Sequence, residues 1–368
     1  MKRLAARLLS WRLATSPWMA QIGEIEPDVR AYLRRLFPDG SDGTPMKLRT
    51  PAGYYSHHVA IVESLGERRC RVFLKAPRTA EQWERMAAEA RFLTDVAPRL
   101  AGAFPSARCP EVLAYHPHRR FLLLEVVEGA PLRSVLFGLG GVEHPHTLPG
   151  LLELCGSWLA RLHTVTRSGD DGNPFEWLVG ALEHPRISRT VGDYASPTVY
   201  RDLLDLARRF GRHYEALRTP RCTIHGAFSP RHVLVGDHQA YVIDLEQTRV
   251  GYAYEDLATF LRAYDMLLPW KRVLAAWRLD PEEQKRVFLD AYRAEAGSWT
   301  DPDLVVMRLA RVYSMAEVLG GSGAQSWRRV RAGTLSVVRR TWWRHRFRAV
   351  CREELSALRD TARRVGLG

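Results

Sequence analysis

Residues 224–235 read IHGAFSPRHVLV, and residues 241–246 read YVIDLE. The aliphatic and β-branched residues in both stretches predict a short β-rich island over residues 223–244. Two histidines and an arginine interrupt the first stretch, and an aspartate stands in the second. The sequence GYAYEDLA follows at residues 251–258, where helical patterns begin. We therefore expect the functional site of the chain in or beside this island.

On the N-terminal side of the island, the sequence favours β-strands. The predicted hairpins pair residues 55–63 with 70–75 and residues 110–116 with 121–127. Between them, residues 79–96 carry apolar side chains about 3.6 residues apart, which predicts one long helix. These patterns predict a β-rich lobe over residues 46–128, preceded by an extension and linker over residues 1–45.

From about residue 131 onward, most segments on both sides of the island have helical patterns. Residues 151–165 and 198–217 have amphipathic helical patterns, and residues 168–174 (SGDDGNP) predict a loop between them. The sequence GLGG at residues 138–141 lacks the GK[ST] ending of a phosphate-binding loop, so it predicts a flexible connector. We expect a mostly helical lobe over residues 129–326.

The island resembles the catalytic loop and metal-binding segment of the aminoglycoside phosphotransferase and choline kinase family. That family carries HGDxxxxN, then IDF or IDxE, then a G…DLA element. In this register Ala227 lies at the catalytic Asp, His232 at the metal-binding Asn and Asp244 at the second metal ligand. The resemblance covers roughly residues 46–320. It implies an α+β, two-lobed protein-kinase-like fold with a small antiparallel β-sheet N-lobe and a mostly helical C-lobe.

The same resemblance implies a nucleotide site that uses ATP and Mg²⁺. Lys75 ends the strand VFLK where the family carries its phosphate-binding Lys, and Glu89 lies where a helix Glu pairs with it. A single Lys or Glu of this kind is usually an ordinary solvated residue, but the ordered set favours a nucleotide site. The remaining implied cofactor contacts, which include the hinge-like stretch FLLLEVVEG, are Gly53, Ser56, Glu125, Val126 and Val127.

The loop residues suit phosphoryl transfer, which needs positioning and charge neutralisation more than covalent chemistry from the protein. Asp244 offers a hard oxygen ligand for Mg²⁺. His225 is expected to hold the loop, Arg231 is a further candidate catalytic residue, and Asp256 is expected to cap a helix or support the loop.

Ala227 departs from the family pattern because it has a methyl group where the family has its catalytic carboxylate. Loss of a general base typically costs about 10² to 10⁴ in rate, so we expect a poor kinase or none. The Ala is either a natural loss, as in a pseudokinase, or an Asp→Ala substitution made to trap a substrate complex. The otherwise intact lysine, metal and hinge positions favour the substitution or a recent loss.

His232 is the second departure, because Mg²⁺ prefers oxygen ligands and imidazole suits softer metals. Lipopolysaccharide core heptose kinases carry His at this position, followed by VIDL, and residues 232–235 and 242–245 look similar to that version.

Three functional classes therefore stay open. The first is an ATP-dependent phosphotransferase that acts on a hydroxyl of a small molecule or glycan. The second is a nucleotide-binding pseudokinase or scaffold, and the third is a lipopolysaccharide-core-type sugar kinase at the membrane surface, or a peripheral membrane protein with a kinase frame. The sequence identifies neither the acceptor nor the oligomeric state.

The net charge of +13 comes from the two ends of the chain. Residues 327–368 hold twelve Arg against three acids, and residues 1–23 hold four basic residues and no acid. Both ends have amphipathic helical patterns, with Trp residues beside the basic ones. Such helices could contact an anionic membrane surface, or pack by their apolar face and leave the arginines in water. The balanced middle has no nucleic-acid-reading motif, so nucleic acid is not expected as a partner.

The five cysteines, Cys70, Cys109, Cys155, Cys222 and Cys351, form neither a CxxC nor a Cys/His metal pattern. Their odd number and wide spacing favour a reduced, cytoplasmic protein, peripheral to a membrane if the basic ends bind one. No apolar run reaches the ~18 residues that a spanning helix needs, so an integral membrane protein is not expected.

Overall fold

The structure is a computed structural model of the chain. It describes residues 27–29, 31, 32, 35, 46–49, 58–64, 71–103, 106–136, 148–236, 239–267, 280–320 and 334–367. Four sequence predictions lie outside these described residues: the N-terminal amphipathic helix, Gly53, Ser56 and the connector at residues 138–141. The chain divides into two compact units, Met1–Ala97 with Cys109–Val127 and Pro98–Arg108 with Glu128–Gly368.

Regular elements account for most of the described residues. The strands, in chain order, are β1 (Met46–Arg49), β2 (His58–Ser64), β3 (Arg71–Ala76), β4 (Ala107–Arg108), β5 (Val112–His116), β6 (Phe121–Glu125), β7 (Ala130–Pro131), β8 (Asp171–Gly172), β9 (Thr219–Pro220), β10 (Cys222–Ile224), β11 (Val233–Val235), β12 (Ala240–Val242) and β13 (Arg249–Gly251). The helices are α1 (Ala80–Arg91), α2 (Ala97–Ala103), α3 (Leu132–Leu136), α4 (Leu148–Val165), α5 (Pro174–Glu183), α6 (Pro185–Tyr194), α7 (Pro197–His213), α8 (Ala253–Asp265), α9 (Pro281–Ala296), α10 (Asp301–Gly320) and α11 (Thr334–Arg364).

The first unit is one antiparallel sheet with a helix between its hairpins. The sheet has the order β1-β2-β3-β6-β5, which confirms both predicted hairpins. β1 was not predicted. The long helix is also confirmed, although a π-helical turn at Phe92–Val96 separates α1 from α2. Helix α1 begins at Thr79, whose side chain accepts the backbone N–H of Gln82. It buries Met86, Glu89 and Ala90 on one face, so Glu89 points inward.

The second unit is mostly helical, with short strands that frame the β island. β11 and β12 form an antiparallel hairpin inside the sheet β4-β12-β11-β7, and β10 pairs with β13. Helices α5 and α6, which were not predicted, lie between residue 174 and α7. β4 pairs in parallel with β12, and this pairing includes Pro98–Arg108 in the second unit.

Helix α11 packs against the rest of the second unit by its aromatic face. The indole N–H groups of Trp342 and Trp343 donate to the carbonyls of Leu267 and Met266, at 2.8 and 2.7 Å. Phe347 of the same helix is fully buried. These two tryptophans therefore adopt the packed arrangement, one of the two alternatives that the sequence left open for this basic segment. In the described part of the chain, no helix is both long and apolar enough to cross a membrane.

Ion pairs around Asp265, the last residue of α8, help to hold α11 in place. Asp265 is fully buried and accepts from Lys285 at 3.1 Å and from Arg311 at 2.5 Å. Arg311 also donates to the buried Glu354 of α11. Among the tail arginines, Arg346 lies 3.6 Å from Asp265 and Arg359 lies 2.6 Å from Asp202, so acids of the helical core neutralise part of the basic charge of the tail.

Candidate functional site

The loop at residues 225–232 connects β10 to β11 and has a fixed backbone. Gly226 has φ +77°, and a Cβ atom there would lie 2.3 Å from the carbonyl oxygen of Gln247. Only glycine therefore fits this position without strain. Phe228 is fully buried and stacks on Trp158 and Phe260, with ring centroids 5.7 and 5.5 Å apart. The glycine thus turns the loop, and the phenylalanine fixes it to the helical core.

Asp256 holds the start of this loop from the first turns of α8. Its carboxylate accepts the backbone N–H groups of His225 and Gly226 at 2.7 and 2.8 Å. His163 Nε2 lies 3.2 Å from the same carboxylate, and His163 Nδ1 lies 3.0 Å from the hydroxyl of Tyr292. Burial alone would raise the pKa of Asp256, but the hydrogen bond and charge of His163 bring it below its ordinary value. The aspartate is therefore ionised and supports the loop.

His163 and Tyr292 were missed by sequence reasoning. They are 93 and 36 residues from Asp256 along the chain, on α4 and α9. His163 stood in a predicted amphipathic helix, where a lone His reads as an ordinary core residue. No local pattern marks either residue, because the packing of three helices alone brings them together.

Two parallel imidazole rings flank the backbone of Ala227. The rings of His225 and His232 are 5.7 Å apart with an angle of 2° between their planes. Ala227 N–H points to His225 Nδ1 at 3.4 Å, and His232 Nδ1 lies 2.8 Å from the carbonyl oxygen of Ala227. His225 Nε2 lies 3.1 Å from the carbonyl oxygen of Ile243. Because His225 uses both ring nitrogens in this way, its position fits a structural role in the loop.

His232 and Asp244 meet at the end of the loop. His232 Nε2 lies 3.3 Å from Asp244 Oδ2. Asp244 has φ +66°, a left-handed conformation that is uncommon for a residue with a side chain. Such strained backbones are concentrated at functional sites. The side chain of Asp244 is 39% exposed and that of His232 is 12% exposed.

The donor set of this pair fits a divalent cation. Burial, only partly opposed by the nearby Asp244 carboxylate, lowers the pKa of His232 to about 4. At neutral pH the ring is therefore uncharged, and its Nε2 lone pair faces a carboxylate oxygen. Among the described residues, no group of three or more His, Cys, Asp or Glu could hold a metal ion. A cation here would need further oxygen ligands, such as nucleotide phosphates.

In the first unit, Lys75 and Glu89 form a buried ion pair. Lys75 Nζ donates to Glu89 Oε2 at 2.6 Å, and the two residues are only 6% and 2% exposed. Lys75 lies in β3 opposite Val59 of β2 and Leu122 of β6, so the sheet fixes the base of its side chain. The ion pair predicted from the sequence is therefore present. Its role toward a nucleotide stays a prediction.

The hinge-like stretch follows directly after β6. Glu125 is the last residue of that strand, and its backbone N–H donates to the carbonyl of Glu111 at 2.9 Å. Val126 and Val127 are half-buried and lie outside regular elements. Since the Glu125 N–H is already bonded, Val126 and Val127 carry the adenine-binding prediction.

Arg231 is exposed at the outer end of the loop. Its charge acts on His232 and on Arg262 of α8. Arg262 was missed by sequence reasoning, and its Nη1 donates to the carbonyl and hydroxyl oxygens of Ser314, both at 2.9 Å. Burial lowers the pKa of Arg262 to about 10. Arg231 therefore places positive charge near both His232 and Arg262.

Comparison with known proteins gives both a family match and structural neighbours. Residues 47–301 match the model of a family described as the phosphotransferase enzyme family. A macrolide 2′-phosphotransferase of Brachybacterium faecium is similar in structure, with 18% identity, a TM-score of 0.52, and 88% of this chain and 98% of that chain covered. A choline/ethanolamine kinase family protein of Mesorhizobium loti is similar with 16% identity, a TM-score of 0.53, and 91% and 99% coverage.

A third similar structure is the GDP complex of wild-type aminoglycoside 2′-phosphotransferase-IIIa, with 15% identity, a TM-score of 0.51, and 90% and 98% coverage. No curated protein matches the sequence. At these identities the similarity shows the fold, and it confirms the predicted α+β, protein-kinase-like fold class.

Proposed function

The chain belongs to the phosphotransferase enzyme family, and from that membership we propose that it binds ATP for phosphoryl transfer to a hydroxyl group. The acceptor is a small molecule or a glycan. The observation that carries the proposal is the buried pair of Lys75 and Glu89, with Nζ and Oε2 2.6 Å apart. A folded protein gains little stability from a buried ion pair, because the cost of desolvation offsets the attraction. A functional requirement accounts better for a buried ion pair between β3 and α1.

The proposal gives each candidate residue a defined role. Lys75, oriented by Glu89, neutralises nucleotide phosphates, and the segment at Val126 and Val127 contacts the adenine. Asp244 and His232 would hold a divalent cation. Such a cation, when bound, neutralises charge on the phosphate oxygens and helps to orient them. The GDP in the similar aminoglycoside 2′-phosphotransferase structure supports nucleotide binding here.

Ala227 limits what the chain can do with the nucleotide. Its carbonyl and N–H face the two imidazole rings, so the loop keeps an ordered backbone although the side chain is a methyl group. A methyl group cannot accept the proton of an acceptor hydroxyl. We expect the chain to bind nucleotide but to transfer phosphate slowly or not at all, because a lost general base costs about 10² to 10⁴ in rate.

A pseudokinase or scaffold is the second candidate function, and Ala227 is the observation that favours it. In that case nucleotide binding itself is the output, and restoring a carboxylate at position 227 adds no activity. The two candidates therefore share the nucleotide site and differ in what Ala227→Asp does.

Nucleotide binding tests the proposal directly. We expect ATP with Mg²⁺ or Mn²⁺ to raise the melting temperature of the full chain, since a ligand at 100 times its Kd stabilises a protein by about 2.7 kcal/mol. Lys75→Met should abolish the shift. Arg85→Met, on the exposed face of α1, should keep it. If the unsubstituted chain shows no shift with ATP and either metal, the assignment of Lys75, Glu89 and Asp244 is wrong.

A further inference from the structure

Helix α11 has three exposed arginines, Arg344, Arg348 and Arg352, that follow one another at every fourth position. Residues four apart lie on the same side of an α-helix, and at a rise of about 1.5 Å per residue they are about 6 Å apart. The three side chains therefore form a continuous row, which we call the arginine ridge. Phe347 and Val350 of the same helix are fully buried, so the ridge lies on a helix that is fixed to its unit.

The neighbours of the ridge hold the arginine side chains without neutralising them. The guanidinium carbon of Arg344 lies 4.7 Å from the ring centre of Tyr194, at the end of α6. Arg348 Nε donates to the carbonyl of Tyr194 at 2.6 Å, and Arg352 Nε donates to the carbonyl of Arg348 at 3.3 Å. Each guanidinium group has several further N–H donors, so the Nη groups of Arg348 and Arg352 stay available to an external anion.

The charge of the ridge is not balanced by the acids of its own helix. All the acids of α11 pair with arginines outside the ridge: Glu353 with Arg346, Glu354 with Arg311 and Asp360 with Arg363. In the part of the chain that the structure describes, no ion pair joins a carboxylate to a ridge arginine. The ridge therefore presents uncompensated positive charge, which a partner with negative charge complements.

The chemistry beside the ridge distinguishes among negatively charged partners. The cores of protein–protein interfaces contain aromatic and apolar anchors, and single-stranded nucleic acids stack on exposed aromatic rings. The indole N–H groups of Trp342 and Trp343 instead donate to backbone carbonyls inside the second unit. Among the described residues, Val250 of β13 is the only large apolar side chain that is exposed. The ridge thus offers charge and hydrogen-bond donors, which are what lipid phosphate groups require.

We propose that the arginine ridge binds the phosphate groups of an anionic membrane surface by charge alone. The apolar side of α11 packs within the fold, so the helix contacts the membrane without inserting. Inserted amphipathic helices depend on buried apolar area, whereas a charge contact weakens as salt shortens the screening length, from about 10 Å at 0.1 M to about 3 Å at 1 M. Release by salt therefore separates the two modes. The proposal does not depend on the nucleotide site, since no ridge residue belongs to it.

Sedimentation of the full chain with vesicles of equal parts phosphatidylglycerol and phosphatidylcholine tests this proposal. We expect binding at about 0.1 M salt, release at about 1 M, and no binding to vesicles of phosphatidylcholine alone. The ridge variant, Arg344→Gln/Arg348→Gln/Arg352→Gln, should bind roughly a hundredfold more weakly, because each arginine near an anionic membrane contributes about fivefold. The same residues changed to Lys keep the charge and should keep the binding.

The matched control, Arg85→Gln/Arg208→Gln/Arg286→Gln, removes the same charge from exposed arginines that are paired with acids, and it should bind much more tightly than the ridge variant. Equal binding by these two variants, binding that persists at about 1 M salt, or failure of the unsubstituted chain to bind anionic vesicles overturns the proposal. The salt dependence decides even if the ridge variant does not fold. Tighter binding to duplex DNA than to the vesicles, lost in the ridge variant, assigns the ridge to nucleic acid and also overturns it.

Discussion

Substitutions of the buried pair of Lys75 and Glu89 are predicted to affect the stability of the fold and the binding of nucleotide in different ways. In Lys75→Met, Glu89 is still buried, since the residue is only 2% exposed. Its carboxylate no longer has a cation beside it. Removing one partner of a buried ion pair costs about 3–5 kcal/mol. Replacing both partners by apolar residues of similar volume is often neutral or stabilising. Lys75→Met/Glu89→Met should therefore restore most of the free energy of unfolding that Lys75→Met loses.

Urea unfolding of both single variants and the double variant measures the coupling free energy of the pair. The exposed pair of Arg85 and Glu81 on the same helix is the control, with side chains 46% and 74% exposed. Arg85→Met should cost no more than about 0.5 kcal/mol. A loss below about 1 kcal/mol in Lys75→Met would refute the buried-pair reasoning.

Nucleotide affinity of the same variants tests the role of the lysine apart from its effect on folding. The double variant is expected to be folded and stable, yet unable to bind ATP, because it lacks the cation that neutralises the phosphates. Titration with a fluorescent ATP analogue measures this. If the double variant binds ATP as tightly as the unsubstituted chain, Lys75 is not a phosphate ligand.

Three further predictions concern the loop and the helical core. Gly226→Ala places a Cβ 2.3 Å from the Gln247 carbonyl, so it should lower the free energy of unfolding by more than about 1 kcal/mol, and an unchanged urea midpoint would contradict this. Asp256→Asn removes the charge that accepts two N–H groups at 2.7 and 2.8 Å; we expect a loss of about 1.5–3 kcal/mol, together with faster amide exchange at residues 225 and 226. Although burial alone would raise the pKa of Asp265, Arg311 and Lys285 lower it to about 2. Its stabilisation, about 2 kcal/mol, is then fully present above the unfolded-state pKa near 4 and is lost as pH falls from about 4 to about 2. The free energy of unfolding, measured as a function of pH, should fall over this range in the unsubstituted chain. In Asp265→Asn the part of this fall that comes from Asp265 should be absent.

Local signals account for the parts of the fold that the sequence predicted. The hairpins and the helix with Glu89 depend on alternation and spacing within a few residues, and the loop residues follow a contiguous pattern. The missed helices also had local signals: α5 and α6 each carry Pro at their start, directly after the capping residues Asn173 and His184. The predicted loop at residues 168–174 includes the first of these caps, so the start of α5 was readable from the sequence.

The rest of the site depends on contacts between residues far apart in the chain. His163 reaches Asp256 across 93 positions, and Arg262 meets Ser314 across 52 positions. No periodicity or motif links these residues, because each pairing arises from how helices pack. The tautomer of His232 is likewise set by the Ala227 carbonyl, which is a property of the folded loop and not of the residue type.

Phosphoryl transfer by Ala227→Asp is the most direct test of the central claim that this loop is a phosphotransferase loop without its carboxylate. Turnover of ATP should be measured for the unsubstituted chain, Ala227→Asp and the matched control Ala227→Asn, against aminoglycosides, amino alcohols, nucleosides and lipopolysaccharide core sugars. We predict a rate increase of about 10² to 10⁴ in Ala227→Asp with at least one acceptor, and none in Ala227→Asn. If Ala227→Asp binds ATP but is no faster than the unsubstituted chain with every acceptor, the phosphotransferase account is contradicted and the scaffold function replaces it.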